Sequence, residues 1–166
     1  MSATSFRGIF GLALAMLSIT PSLAAQTEAV ECGPPDVKIK VKADKKEVRS
    51  LPEPSPRKAL IYVLSTFGSP NPRFQTKFAV NGRWVGASPS GFRGSESYAY
   101  FYFEADPGVL SLCSKHRQYS PKFLYLTVEA GKTYYVDIFD LGELKQDKAA
   151  DLVRRKCKYL TFTFEN

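Results

Sequence analysis

The chain has 166 residues, 44% of them hydrophobic and 23% charged, and a formal net charge of +7. This length suffices for one domain with its own core, so the fold need not depend on metal ions or many disulfides. The basic excess is modest and spread along the chain, which is typical of a basic surface in contact with water. Together with the export predicted below, it argues against nucleic acid as a partner.

The N-terminus predicts an export signal. Arg7 precedes an apolar run, "IFGLALAMLSI" (9–19), and small residues follow it. A membrane span needs about 20 apolar residues, so this run is too short for a transmembrane anchor and is typical of a signal peptide. We predict a signal peptide over residues 1–25, cleavage after Ala24 or Ala25, and export to the periplasm or to the outside of the cell.

Residues 26–57 form an N-terminal segment in which one strand precedes a linker. From Asp36, the sequence "DVKIKVKA" alternates apolar residues with lysines, which predicts a half-buried strand with a solvated face. Lysines in such a row are typical of an edge strand that avoids mispairing. The proline-rich stretch "LPEPSPRK" (51–58) predicts an extended linker outside any sheet interior.

Residues 58–166 predict an all-β domain, because short apolar strands and turn signals follow one another closely. We predict a single β-sandwich of about 7–8 mostly antiparallel strands. The stretch "GELKQDKAADLVRRK" (142–156) predicts one short C-terminal helix, and a closing strand follows. Alternation within the strands predicts a core of Leu60, Tyr62 or Val63, Phe78, Val80, Phe101, Phe103, Leu110, Leu112, Leu124, Leu126, Val128, Val136 and Ile138.

The stretch "FAVNGRWVG" contains the strongest turn signal and the only tryptophan of the chain. Asn-Gly at 81–82 predicts a type I′ hairpin, since both positions of that turn need positive φ. A two-residue loop pairs Ala79 with Trp84 and Phe78 with Val85. Trp84 then lies on the face that a two-layer sandwich leaves to solvent.

A row of tyrosines is the second candidate binding feature. Within "YAYFYF" (98–103), Tyr98, Tyr100 and Tyr102 alternate with apolar residues and share one face of a strand. Such rings can stack on sugars or peptides, although they also suit any half-exposed strand. Together with Trp84, these tyrosines are the possible ligand face of the protein.

Three cysteines, Cys32, Cys113 and Cys157, leave one thiol over if a single disulfide forms after export. If Leu110 and Leu112 point into the core, Cys113 is turned to the outer face. The segment "ECGPP" precedes the first strand and can cross such a face, because its prolines keep it extended. We predict a Cys32–Cys113 disulfide, with a Cys113–Cys157 disulfide as its main alternative.

No motif in the chain predicts catalysis. His116 is the only histidine, so a nucleophile has a single candidate imidazole base. The spaced His and Cys ligands of a zinc site are missing, as are the lysine and following helix of a phosphate-binding loop. We therefore predict no catalytic, metal-binding or cofactor-binding residues, and a protein that is not an enzyme.

Four stretches, "ALIYV", "FAVNGRWVG", "DPG" and "EAGKTYYVDIF", carry a resemblance over Lys58 to Phe139. In this order they resemble a small family of exported bacterial proteins known only as a domain of unknown function, related to PEGA-type, prealbumin-like β-sandwich modules. The resemblance implies a compact sandwich in the cell envelope and brings no active residues.

The sequence therefore predicts a non-catalytic exported module of the bacterial cell envelope that acts by binding or by structural support. Its partner would be an envelope protein or a polysaccharide, and the protein itself a monomer or a weak oligomer. The alternative is a carbohydrate-binding module that uses an exposed face of tyrosines and tryptophan.

Overall fold

The computed structural model describes residues 31–44, 51–66, 74–88 and 98–165, and the predicted signal peptide lies outside them. These residues form nine strands and one helix. In chain order the elements are β1 (Lys38–Asp44), β2 (Ala59–Ser65), β3 (Thr76–Val80), β4 (Arg83–Ala87), β5 (Ala99–Ala105), β6 (Gly108–His116), β7 (Lys122–Val128), β8 (Thr133–Asp137), α1 (Gln146–Lys156) and β9 (Lys158–Glu165). The predicted all-β fold with a short C-terminal helix is confirmed.

The strands form two sheets. The five-stranded sheet has the order β1-β9-β5-β2-β8, and the four-stranded sheet has the order β4-β3-β6-β7. Most neighbours are antiparallel, but β2 with β8 and β5 with β9 are parallel. The first strand pairs along its whole length with the last, from Lys38 opposite Glu165 to Asp44 opposite Tyr159. The strand before the linker is therefore part of the sandwich.

The main core lies between the two sheets. Alternating residues such as Val63 on β2, Phe101 on β5 and Leu112 on β6 point into it and are at most 3% exposed. All the predicted core residues pack there, fully or partly buried, except Leu60 and Tyr62. Because strand side chains alternate between faces, these two point to the opposite side of β2.

A second core covers the outer face of the five-stranded sheet. Helix α1 packs there, and its Ala149 and Val153 are buried with Leu60, Tyr62 and Tyr100 of the sheet. All seven residues of β2 are consequently buried, since both faces of that strand are covered. The expectation that the row of tyrosines faces solvent is wrong for Tyr100, which is only 1% exposed.

The hairpin forms at the predicted turn. Asn81 has φ 48° and Gly82 has φ 74°, as a type I′ turn requires, and Ala79 lies opposite Trp84 as predicted. The next pair differs from the prediction because a bulge shifts the register.

Phe78 lies opposite Gly86, and Val85 is the extra residue of the bulge. Gly86 lies against the core ring of Phe101, where a Cβ atom would come within 2.7 Å of Cζ. The predicted pair of Phe78 with Val85 is therefore wrong.

Helix α1 begins at Gln146, four residues later than predicted. Residues before it hydrogen-bond to β8 instead: Glu143 forms a bridge with Val136, and the N–H of Leu144 donates to the carbonyl oxygen of Tyr135 (2.7 Å). The carbonyl oxygen of Gly142 also accepts a hydrogen bond from the N–H of Asp137 (2.9 Å), and a helix from Gly142 would need that oxygen for the N–H of Gln146. Within the described ranges, no helix is both long enough and apolar enough to cross a membrane.

Candidate functional site

The outer face of the four-stranded sheet carries the predicted disulfide. Cys32 is bonded to Cys113, and their Cα atoms lie 5.3 Å apart. Leu112 points into the core and Cys113 to the outer face, as the alternation in β6 predicts. Cys157, at the C-terminal end of α1, is free and partly buried. The prediction of a Cys32–Cys113 disulfide is confirmed.

The disulfide holds segment 31–37 across the outer face of the sheet and over Trp84. The indole N–H of Trp84 donates a 2.8 Å hydrogen bond to the carbonyl oxygen of Pro34. Gly33 approaches the ring so closely that a Cβ atom there would lie 2.9 Å from Cε2. Trp84 is therefore packed into a small cluster with Cys32 and its neighbours, and its ring is not a free platform for stacking.

The tyrosines of the predicted ligand face lie on the other sheet. Tyr100 and Tyr102 of β5 pack around Tyr62, with ring centroids 6.0 and 5.5 Å from it. Burial raises the pKa of Tyr100, and the hydroxyl of Tyr62 donates to the carbonyl oxygen of Pro52 (3.1 Å). These rings form the second core beneath α1 and the linker, and Tyr98 lies half-buried just before the strand.

Trp84 and the tyrosines consequently do not share a face. Trp84 belongs to β4 in the four-stranded sheet, whereas Tyr100 and Tyr102 belong to β5 in the five-stranded sheet. Both groups point away from the core that separates the sheets. The predicted ligand face of Trp84 with Tyr98, Tyr100 and Tyr102 is therefore wrong.

A groove of about 310 Å³ lies beside Trp84, between segment 31–37 and the sheet. Three cationic side chains line it, those of Lys77, Lys115 and Arg117, and we call it the basic groove. The Lys77 ammonium donates a 2.6 Å hydrogen bond to the carbonyl oxygen of Val37 and lies 5.3 Å from the centre of the Trp84 ring. A lysine in this position is held by both a hydrogen bond and a cation–π contact.

An exposed apolar strip lies on the same sheet face, on the far side of the disulfide. Val109, Phe123 and Tyr125 are 64%, 39% and 68% exposed. Phe123 lies opposite Cys113 and Tyr125 opposite Ser111, which places all three side chains on the outer face of β6 and β7. We call these three residues the aromatic strip.

The sequence contains the signal for the aromatic strip, which is not among the predicted binding residues. Leu124, Leu126 and Val128 are predicted to point inward, so Phe123 and Tyr125 must point outward in the same strand. The same alternation does not predict the exposure of the tyrosines of β5, because α1 covers their face.

His116 is poorly placed for catalysis. It is 6% exposed, and its Nδ1 accepts a hydrogen bond from the backbone N–H of Gln118 (3.2 Å). Burial lowers the pKa of its imidazole, and the rings of Phe74 and Tyr119 lie beside it. The nearby Cys113 has no free thiol, because its sulfur is bonded to that of Cys32. In the part of the chain that the structure describes, no three His, Cys, Asp or Glu side chains are grouped to hold a metal ion.

Comparisons of this chain with models of protein families, with curated proteins and with solved structures found no match. The resemblance to exported PEGA-like modules therefore stays a prediction from the sequence. The basic groove and the aromatic strip, both on the outer face of the four-stranded sheet, are the candidate binding surfaces.

Proposed function

We propose that the protein is a non-catalytic β-sandwich module, exported to the bacterial cell envelope, that binds a partner through the outer face of its four-stranded sheet. The aromatic strip is the observation that carries this proposal. Five large hydrophobic side chains are exposed in the described chain, and three of them, Val109, Phe123 and Tyr125, are on this one face. Exposed apolar side chains scattered singly are ordinary, whereas a contiguous group suggests an interaction surface.

The chemistry of the strip suits a partner that buries rings. Aromatic side chains are enriched at protein interfaces because each ring buries a large area with few rotatable bonds. Phe123 and Tyr125 of the strip lie on β7, an edge strand of the sheet, so a partner can reach them from the side. An envelope protein is the partner class that these features favour.

A polysaccharide is the second candidate partner. The rings of Phe123 and Tyr125 stand two residues apart on one face, and the hydroxyl-bearing Ser111 and Thr127 lie on the same face of β6 and β7. Sugars combine apolar ring faces with hydroxyl groups, and such a mixed surface can match both. A carbohydrate-binding role would use the aromatic strip rather than Trp84 and the tyrosines of β5.

Export is part of the proposal and is supported by two features. The N-terminal sequence has the organisation of a signal peptide, and the Cys32–Cys113 disulfide is suited to an oxidising compartment. Mass spectrometry of the mature protein should find an N-terminus at Ala25 or Gln26 and no lipid. Recovery of the intact Met1 form from the cytoplasm would contradict export.

The binding proposal is tested by co-sedimentation of the mature protein with purified envelope fractions. We expect the double variant Phe123→Ser/Tyr125→Ser to lose binding, because it removes both rings and leaves the core residues of β7 in place. Phe164→Ser is the matched control, since Phe164 is 45% exposed but lies on β9 of the other sheet.

Treatment of the envelope fraction separates the two partner classes. If protease abolishes binding, the partner is an envelope protein. If only a polysaccharide-degrading enzyme abolishes binding, the partner is a carbohydrate. A double variant that is folded and sediments like the wild type would refute the proposal.

A further inference from the structure

We propose that the basic groove beside Trp84 binds a phosphate group of an anionic ligand. Its cations are Lys77, Lys115 and Arg117. The groove is separate from the aromatic strip, and this inference goes beyond the function proposed above and does not depend on it.

Two lysines of the groove repel each other in the sheet. Lys77 lies directly opposite Lys115 in the antiparallel pairing of β3 and β6, which puts two like charges side by side. Such a cross-strand pair destabilises a sheet. None of the ion pairs among the described residues involves Lys77, Lys115 or Arg117. An anion bound between the two ammonium groups would relieve the repulsion.

The net charge and the hydrogen-bond donors of the groove lining suit a phosphate group. Three cations and the single carboxylate of Glu31 give the groove a formal charge of +2. This charge matches a doubly ionised phosphate monoester, and a concave site lined by one sign of charge concentrates counter-ions. Arg117 adds a planar fork of donors to two compact ammonium groups, and both kinds of donor suit phosphate oxygens.

Lys77 is held in place before a ligand arrives. One of its three donors is used on the carbonyl oxygen of Val37, which leaves two for an anion. Trp84 lies beneath the ammonium, and the disulfide ties segment 31–37 over the sheet. Restricting a flexible lysine in advance lowers the entropy cost of binding.

The lysine row of β1 lacks these features. Lys38, Lys40 and Lys42 are exposed on an edge strand, and Lys40 pairs with Glu165 at 2.5 Å. Because this row is exposed on an edge strand and one member already has a carboxylate partner, we assign the phosphate site to the groove. A lysine of this row, Lys42, therefore serves as the matched control for loss of a positive charge outside the groove.

Trp84 makes the test specific, because it is the only tryptophan in the chain and lines the groove. Inorganic phosphate is titrated into the mature, disulfide-bonded protein at constant ionic strength, with Trp84 fluorescence and calorimetry as readouts. We expect saturable binding with phosphate and none with acetate. Lys115→Gln and Arg117→Gln should each weaken binding about tenfold, since each removes a charged hydrogen-bond donor. Lys42→Gln should leave binding unchanged.

Vesicles of phosphatidylcholine, with and without phosphatidic acid, distinguish the source of the phosphate. If the protein sediments with the phosphatidic acid vesicles and inorganic phosphate inhibits this sedimentation, the ligand is a lipid headgroup. Phosphate binding without sedimentation would identify a soluble phosphorylated ligand.

Three results would overturn the phosphate site: no saturable binding by either readout, an equal response to acetate, or unchanged binding in both Gln variants. The double variant Phe123→Ser/Tyr125→Ser, which removes both rings of the aromatic strip, should bind phosphate as the wild type does. Failure of this inference is therefore distinguishable from failure of the proposed function.

Discussion

The indole N–H of Trp84 donates a hydrogen bond of 2.8 Å to the carbonyl oxygen of Pro34, which lies 50 residues earlier in the chain. This bond joins the β3–β4 hairpin to the segment that Cys32 anchors on the sheet. The ring is fixed by the contact with Gly33 as well. A side chain that the sequence marks as a candidate binding residue is thus used to attach segment 31–37.

Loss of the disulfide should destabilise the protein and uncover Trp84. The bridge closes a loop with a sequence separation of 81, for which the chain-entropy model gives at most ~4.5 kcal/mol of the free energy of unfolding. We expect Cys113→Ser to lose part or all of this amount in urea unfolding, and Trp84 emission to shift to the red. Cys157→Ser is the control and should retain both properties. A non-reducing peptide map that pairs Cys113 with Cys157 would contradict the structure.

The free thiol of Cys157 should react slowly in the native protein. Burial raises its pKa to about 12, so only a small fraction is thiolate near neutral pH. We expect alkylation by iodoacetamide to be far slower in the native protein than in urea, as followed by mass spectrometry. Rapid alkylation without denaturant would mean that Cys157 is exposed.

Both faces of β5 should matter for stability. Phe101 points into the main core and Tyr100 into the second core beneath α1, and the two are 3% and 1% exposed. Truncation of either to Ala should therefore lower the free energy of unfolding by about 3–5 kcal/mol. Tyr125→Ala, at a side chain that is 68% exposed, should cost less than about 0.5 kcal/mol. A small loss for Tyr100→Ala would show that α1 does not cover this face.

Gly86 should not tolerate a methyl group. A Cβ atom there would lie 2.7 Å from Cζ of Phe101 and 2.8 Å from Cε2 of Phe162, inside the main core. We expect Gly86→Ala to cost about 1–3 kcal/mol, because both rings would have to move. At Gly142 nothing lies within 4 Å of the added atom, so Gly142→Ala is the matched control in the same urea assay. Equal stability of the two variants would contradict this packing.

Protonation of His116 should contribute to acid destabilisation. Burial lowers its folded-state pKa below the ordinary value of 6.5, so the unfolded chain binds the proton more tightly than the folded protein. The stabilising effect of the neutral imidazole is present above about pH 6.5 and is lost as the pH falls toward the folded-state pKa. Between about pH 7 and about pH 5, the free energy of unfolding measured in urea should decrease less in His116→Gln than in the wild type. An equal decrease would mean that His116 is solvated when folded.

Much of this fold follows from local patterns in the sequence. Alternation with a period of two identifies the strands and their apolar faces, and Asn81 with Gly82 selects the hairpin turn, because these signals act between near neighbours. The same alternation turns Cys113 away from the core, which makes its disulfide with Cys32 predictable.

The tertiary structure decided which faces are covered and which distant residues meet. Alternation separates two faces of β5, but only the docking of α1 on β5 and β8 buries Tyr100. Likewise, Lys77 and Lys115 are neighbours only because β3 pairs with β6. Strand order and helix docking depend on contacts between residues far apart in the chain. The sequence by itself therefore determined the elements and their apolar faces, and long-range packing determined the surfaces that remain for binding.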